Sequence, residues 1–156
     1  MIQSQIEAII YEYSETVYRL AYSQTHSKSD ADDIYQEVFL RYIKKRPNFE
    51  NKTHEKAWFI RVTINCCKKM WSSAWFRKVV PITEDIPFIP EEYHDLHRQL
   101  EKLPKKYRIV MHLYYYEDMS SEEIASMLSL KPSTVRTQLT RGRNQLREIL
   151  KGESLC

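Results

Sequence analysis

The sequence predicts an all-α protein of two small helical domains, and three observations carry that prediction. Only two glycines, Gly142 and Gly152, occur in 156 residues, whereas sheets need turns and turns usually recruit glycine. Apolar residues recur at helical spacing along most of the chain. One stretch breaks that periodicity, VVPITEDIPFIPEEYHD, with three prolines, five acids and no base; it reads as an extended linker. The division that follows is a first domain over 1–79, a linker over 80–94 and a helix-turn-helix domain over 95–156. A hydrophobic content of 42% supplies cores of that size.

The first helix is expected from about Ile6 to Thr25, because Ile6, Ile9, Ile10, Val17, Leu20 and Ala21 share one face. HSKSD interrupts it, and Ser29 or Asp30 is suited to cap the next helix, with Asp32 and Asp33 near its positive end. That helix, DADDIYQEVFLRYIKKR, runs to Arg46 and stops at Pro47. NFENKT reads as a loop, and a third helix follows from about His54 to Lys78. Beyond the linker, HRQLEKL leads to Pro104 and a helix over Lys105 to Tyr116. Ser120 opens another helix with a capping box, since Glu123 can return to its amide. Ile124, Met127 and Leu128 give that helix a buried side, and Pro132 suits the first turn of the last helix.

Several function classes drop out. Neither GxGxxG nor GxxxxGK can be written with these glycines, which removes most phosphate-loop enzymes. His94 and His97, near Glu91, Glu92 and Asp95, are the nearest approach to a metal constellation, but they sit at a linker edge without a rigid scaffold. No metal, cofactor or catalytic residue is expected. The cysteines, Cys66, Cys67 and Cys156, offer no CxxC spacing, and neighbours in a helix do not pair without strain. Reduced thiols, no signal peptide and no apolar run of ~20 residues lead to the expectation of a soluble intracellular protein.

Net charge is only +3, but its distribution is uneven. Residues 1–40 carry seven acids (Glu7, Glu12, Glu15, Asp30, Asp32, Asp33, Glu37) against Arg19 and Lys28. Residues 56–78 carry six bases (Lys56, Arg61, Lys68, Lys69, Arg77, Lys78) and no acid. Residues 131–151 carry Lys131, Arg136, Arg141, Arg143, Arg147 and Lys151 against Glu148. Two basic blocks behind an acidic start imply two contacts with a polyanion and one with a different partner.

Both basic blocks have further signs of nucleic-acid binding. At 100° per residue, Val135, Leu139, Leu146, Ile149 and Leu150 fall on one side of the last helix. Ser133, Arg136, Thr137, Thr140, Arg141 and Asn144 fall on the other. The first turns of such a helix enter the major groove, where Arg bonds guanine edges and Thr offers a hydroxyl and a methyl. Ser133, Thr134, Arg136, Thr137, Thr140 and Arg141 are therefore the candidate readers, with Arg143, Arg147 and Lys151 placed for phosphates. In AWFIRVTINCCKKMWSSAWFRK, with Lys56 just before it, Trp58, Phe59, Trp71, Trp75 and Phe76 lie among six cations, the mixture that stacks bases and pairs phosphates. Taken singly each aromatic suits a core better, Trp71 and Trp75 lying one turn apart on one face, whereas the helix as a whole reads as a nucleic-acid surface.

Taken in order, these parts resemble a bacterial RNA polymerase sigma factor of the sigma-70 family, in its compact extracytoplasmic-function group. The resemblance is carried by VYRLAYSQTHSKSDADDIYQEVFLRYIKKRPNF and AWFIRVTINCCKK in the first domain. In the second it is carried by LPKKYRIVMHLYYYEDMSSEEIASMLSLKPSTVRTQLTRGRNQLREIL. It implies a sigma2-like domain that binds core polymerase and the −10 element, and a sigma4-like domain that binds the −35 element. The protein would be an initiation factor that catalyses nothing itself. It implies a polymerase clamp contact at Asp33, Gln36, Glu37 and Arg41. It also implies a −10 surface of Asn48, Asn51, Lys52, Trp58, Arg61, Asn65, Lys68 and Lys69, beside which a base is flipped as the duplex melts. The implied partners are core RNA polymerase, promoter DNA both double-stranded and melted, and an anti-sigma factor that holds the protein at the membrane when membrane-bound. The implied location is the cytoplasm, at the nucleoid.

Five positions depart from the family pattern: Lys69 where Asp is frequent, Ser129 where Gly is common, Lys131 where Ser caps, Gln138 for Arg and Gly142 for Ala. They place the promoter sequence beyond reach of the resemblance. The competing reading is a two-domain helix-turn-helix repressor or activator that is not a polymerase subunit. It would need a sensory first domain, and the acidic and aromatic-basic helices do not suggest a ligand pocket.

Overall fold

A computed structural model describes residues 2–72 and 94–154. Among them lie seven helices and no strand, in agreement with the all-α expectation. We number them α1 (Ile2–Thr25), α2 (Lys28–Lys45), α3 (Lys52–Ser72), α4 (His94–Glu101), α5 (Lys105–Tyr115), α6 (Ser121–Leu128) and α7 (Pro132–Ser154). The chain divides into two compact units, one holding α1–α3 and the other α4–α7. The expected linker up to Tyr93, the residues Trp75, Phe76, Arg77 and Lys78, and the side chains of His94 and His97 lie outside the described residues.

In the first unit every helix turns its apolar stripe inward. Val17, Leu20 and Ala21 of α1, Ala31, Ile34 and Val38 of α2, and Phe59, Ile60 and Ile64 of α3 are all buried. Phe59 is fully enclosed at their meeting point. Its ring stacks on Tyr13 at 4.5 Å and lies 5.6 Å from Phe39, 5.5 Å from Tyr42 and 4.9 Å from Trp58. The Tyr13 hydroxyl donates to Glu55 Oε1 at 2.7 Å. Burial first, and then that carboxylate, hold the Tyr13 hydroxyl far above the ordinary phenol range. A polar tie thus closes the top of an aromatic core.

The α1–α2 corner differs from the expectation. Ser27, not Ser29 or Asp30, is the cap: its side chain accepts from the Asp30 amide at 3.2 Å. The reason is His26, whose φ of 54° turns the chain directly after Thr25 and brings the helix start forward. Asp30 then lies buried in the first turn; burial, then nearby Asp33, push its carboxyl up against the opposing pull of Ser27. At the other end α2 stops at Lys45, and Arg46 takes a left-handed φ of 42° before Pro47. Arg46 donates its amide to the Tyr42 carbonyl, closing the last turn, and Pro47 does not continue the helix.

In the second unit, Leu100, Leu103, Tyr107, Val110, Leu113, Ile124, Val135 and Leu139 form the core. The predicted capping box is present in both halves: Glu123 N to Ser120 Oγ at 3.1 Å and Ser120 N to Glu123 Oε1 at 3.0 Å. His112 Nε2 and Glu117 Oε2, both fully buried, meet at 3.1 Å and tie the end of α5 to the turn before α6. Ser129 closes α6 in the left-handed region at φ 58°. At Gly142 an added Cβ would stand 3.1 Å from Met111 Cγ, so α5 and α7 approach closely there. The last helix is less buried than its pattern implies. Leu146 and Ile149 are half-buried and Leu150 is 47% exposed. Leu146 and Leu150 border a cavity of about 400 Å³ with Leu100, Met111, Tyr115 and Tyr116.

Two outcomes follow. Phe59→Ala should cost ~3–5 kcal/mol, the usual range for emptying a fully packed aromatic site. All three tryptophans belong to the first 75 residues, so denaturant unfolding followed by tryptophan fluorescence reads that loss. Ser129→Gly relieves a left-handed residue and should stabilise the second unit by up to ~1 kcal/mol. Slower amide exchange in α6 and α7 is the check.

Candidate nucleic-acid and polymerase interface

The helix-turn-helix presents one face of α7. Ser133, Arg136, Thr137, Thr140 and Arg141 are exposed, Thr134 is half-buried, and Val135 and Leu139 beneath them are buried. Their separation follows from the 3.6-residue period and matches the expectation. Thr137 donates its hydroxyl to the Ser133 carbonyl and Thr140 to the Arg136 carbonyl, each at 3.0 Å. With their donors spent on the helix, both threonines keep an oxygen acceptor and a methyl for a ligand. Arg141 has no ion pair among the described residues, and its guanidinium retains five donors.

Other cations of α7 are engaged within the unit. Arg143 donates from Nε to the Tyr115 hydroxyl at 2.6 Å and lies over the rings of Tyr114 and Tyr115 at 5.4 and 5.7 Å. It is half-buried, so part of its donor capacity holds α7 to α5. Arg147 donates to Asn144 at 3.3 Å, and Lys151 lies 3.8 Å from Glu148. Gln138, which replaces the family's Arg, is half-buried, and its Oε1 is buried without a hydrogen-bond partner.

In the first unit, Arg61, Asn65, Lys68 and Lys69 are all exposed on α3, and their spacing places them along one side. The aromatics of that helix face inward instead. Phe59 is enclosed, and Trp71 donates from Nε1 to the Gln24 carbonyl at 3.3 Å. Trp58 is half-buried, packed edge-on against Phe49 and Tyr42 at 6.0 Å each. The loop before α3 is built by its own side chains. Asn51 Oδ1 accepts from the His54 amide at 2.8 Å, and the Glu50 amide donates to His54 Nδ1 at 3.2 Å. Lys52 Nζ sits between Glu12 Oε2 at 3.1 Å and Glu55 Oε1 at 3.2 Å. Asn51 and Lys52 thus cap α3 and anchor it to α1, work that the sequence reading did not foresee. Asn48 is exposed.

On α2, Asp33, Gln36 and Glu37 are exposed and Arg41 is half-buried. Arg41 Nε donates to Glu37 Oε1 at 2.9 Å, which holds the Glu37 carboxyl below its ordinary value. Beside them stand Leu40, 50% exposed, and Ile43, 37% exposed. Sequence reasoning passed over both, although two apolar residues on the polar side of a helix were a usable signal. Cys66 and Cys67 are buried behind this face. Burial pushes the Cys66 thiol up, which opposes thiolate formation.

One helical unit sets a basic helix beside an acidic one, and the other carries a helix-turn-helix. Comparison with known proteins gives the family. The model of sigma-70 region 2 matches residues 9–77, and that of sigma-70 region 4 matches residues 93–146. The RNA polymerase sigma-E factor of Streptomyces coelicolor is 32% identical, over 81% of this chain and 75% of its own length. The ECF RNA polymerase sigma factor SigE of Mycolicibacterium smegmatis is also 32% identical, over 92% of this chain; the alignment spans 61% of that longer relative. SigV of Bacillus subtilis is 29% identical over 94% of this chain and 91% of its own. The sigma factor RpoE of Bartonella quintana, solved with the anti-sigma factor NepR, shares the fold at a TM-score of 0.72, with 21% identity and 96% of each chain covered. The chain belongs to the sigma-70 family of RNA polymerase sigma factors, in its extracytoplasmic-function group.

The cap at Asn51 carries a prediction. Asn51→Ala should lower the stability of the first unit by ~1 kcal/mol, the typical loss for such a cap. The shift in the tryptophan-monitored unfolding midpoint measures it.

Proposed function

We propose that this chain binds core RNA polymerase, directs it to promoters with defined −35 and −10 elements, and assists strand separation. The observation that carries the reading is the presence of region 2 and region 4 on one chain. A repressor or activator acting alone would account for the second unit only. The chain performs no catalysis of its own. Residues 1–79 form the polymerase and −10 domain, 80–94 the linker and 95–156 the −35 domain.

Ser133, Thr134, Arg136, Thr137, Thr140 and Arg141 read the −35 element in the major groove, with Arg143 nearest the phosphates. Arg61, Asn65, Lys68 and Lys69 take the −10 strand along α3. Asn48 and Trp58 border the position of a flipped base, while Asn51 and Lys52 shape the loop beside it. Unpairing costs on the order of a few kcal/mol and is offset by contacts to the exposed strand and the polymerase. Asp33, Gln36, Glu37 and Arg41, with Leu40 among them, meet the clamp; an acidic rim around an apolar residue fits a basic partner surface.

An anti-sigma factor is the second protein partner. The solved relatives include complexes with NepR and with the cytosolic domain of CnrY, and burial of either interface would silence this chain. Among the described residues no helix is long and apolar enough to cross a membrane. We place the protein in the cytoplasm at the nucleoid, at the membrane only when an anchored partner holds it.

Two variants separate the surfaces. Arg141→Ala should weaken recognition at one −35 position by ~1–3 kcal/mol and leave co-elution with core polymerase unchanged. Asp33→Arg should abolish co-elution and spare the fold, read by circular dichroism. Loss of DNA recognition alone in both variants would contradict the assignment of α2.

A further inference from the structure

Among the described residues, Arg136 is the cation on the exposed face of α7 that meets a carboxylate from another helix. Its Nη1 lies 3.7 Å from Glu122 Oε1, and the two side chains are 57% and 70% exposed. Arg141, on the same face, has no such partner among the described residues. Arg143 leans on two tyrosines and Arg147 bonds within its own helix. Glu122 is the second residue of α6, and its backbone is held in place. The capping box at Ser120 and Glu123 holds the helix start, and Ile124 and Ala125 bury the next turn.

We propose that Glu122 is a positioning residue for promoter recognition. It restricts the orientation of the Arg136 guanidinium and so sharpens the base preference that Arg136 imposes on the −35 element. The inference rests on the reading of α7 as the −35 helix. An arginine selects guanine only when its planar fork lies in the plane of the base edge. A carboxylate that engages one side of the fork removes tilted arrangements, which are those that tolerate other bases. The same carboxylate repels phosphates, so its removal should strengthen binding to every sequence alike. The two effects separate cleanly: repulsion scales all promoters together, whereas positioning changes the ratio between bases.

The test uses the full chain reconstituted with core RNA polymerase on a promoter library in which each −35 position carries all four bases, with transcripts counted by sequencing. Arg136→Ala should erase the preference at one position. Glu122→Gln should reduce discrimination at that same position about 2- to 5-fold, the scale of an exposed ion pair. The double variant should be no flatter than Arg136→Ala alone. If Glu122→Gln rescales all promoters equally, or flattens a position that Arg136→Ala leaves intact, the positioning role is overturned while the −35 reading stands. If Arg136→Ala alters no position, the reading of Arg136 fails and the proposal falls with it.

Discussion

The first unit depends on one buried ring. Phe59 meets Tyr13 of α1, Phe39 and Tyr42 of α2 and Trp58 of its own helix, so a single side chain sets the mutual placement of all three helices. Aromatic pairs at such distances add directional preference to their burial, and close packing leaves little room for adjustment. The two outer surfaces follow from that placement. Asp33, Gln36 and Glu37 point away from the core on α2, and Arg61, Asn65, Lys68 and Lys69 point away on α3. Two separate polar surfaces can coexist on a unit this small because each helix has only one side to hide.

The second unit solves a different problem, holding a short helix at a set angle to a long one. The capping box fixes where α6 begins, and left-handed Ser129 fixes where it ends. The buried His112–Glu117 contact secures the preceding turn. Removing one member of a buried pair leaves the other unsatisfied, which makes such contacts costly to break. Ile124, Val135 and Leu139 then seat the two helices together. The exposed face of α7 inherits its orientation from these groups.

Much of this was legible in the sequence. The helical period identified Val135 and Leu139 as core and Arg136, Thr137, Thr140 and Arg141 as surface, because burial on α7 is local to one face. The capping box at Ser120 was legible for the same reason, since it closes within four residues. What escaped were one local backbone turn and several effects set by partners distant in sequence. Ser27 rather than Ser29 caps α2 because of the backbone at His26. Lys52 finds Glu12 across forty residues of chain, and Arg143 finds Tyr115 on another helix. Leu150 reads as core by period alone but is half exposed beside an open cavity that it lines with Leu100 of α4. Polar spacing announces a surface; it does not announce which side chains the fold will use for itself.

The central claim is that two helical surfaces on one chain give core polymerase its promoter. Run-off transcription by core RNA polymerase on genomic fragments, including the region upstream of this gene, tests it most directly. Discrete transcripts that appear only when the protein is added, with shared sequences near −35 and −10 of their start sites, are the predicted result. Absence of any such transcript, together with failure of the protein to co-elute with core enzyme, would contradict the account and return the helix-turn-helix to an ordinary regulator.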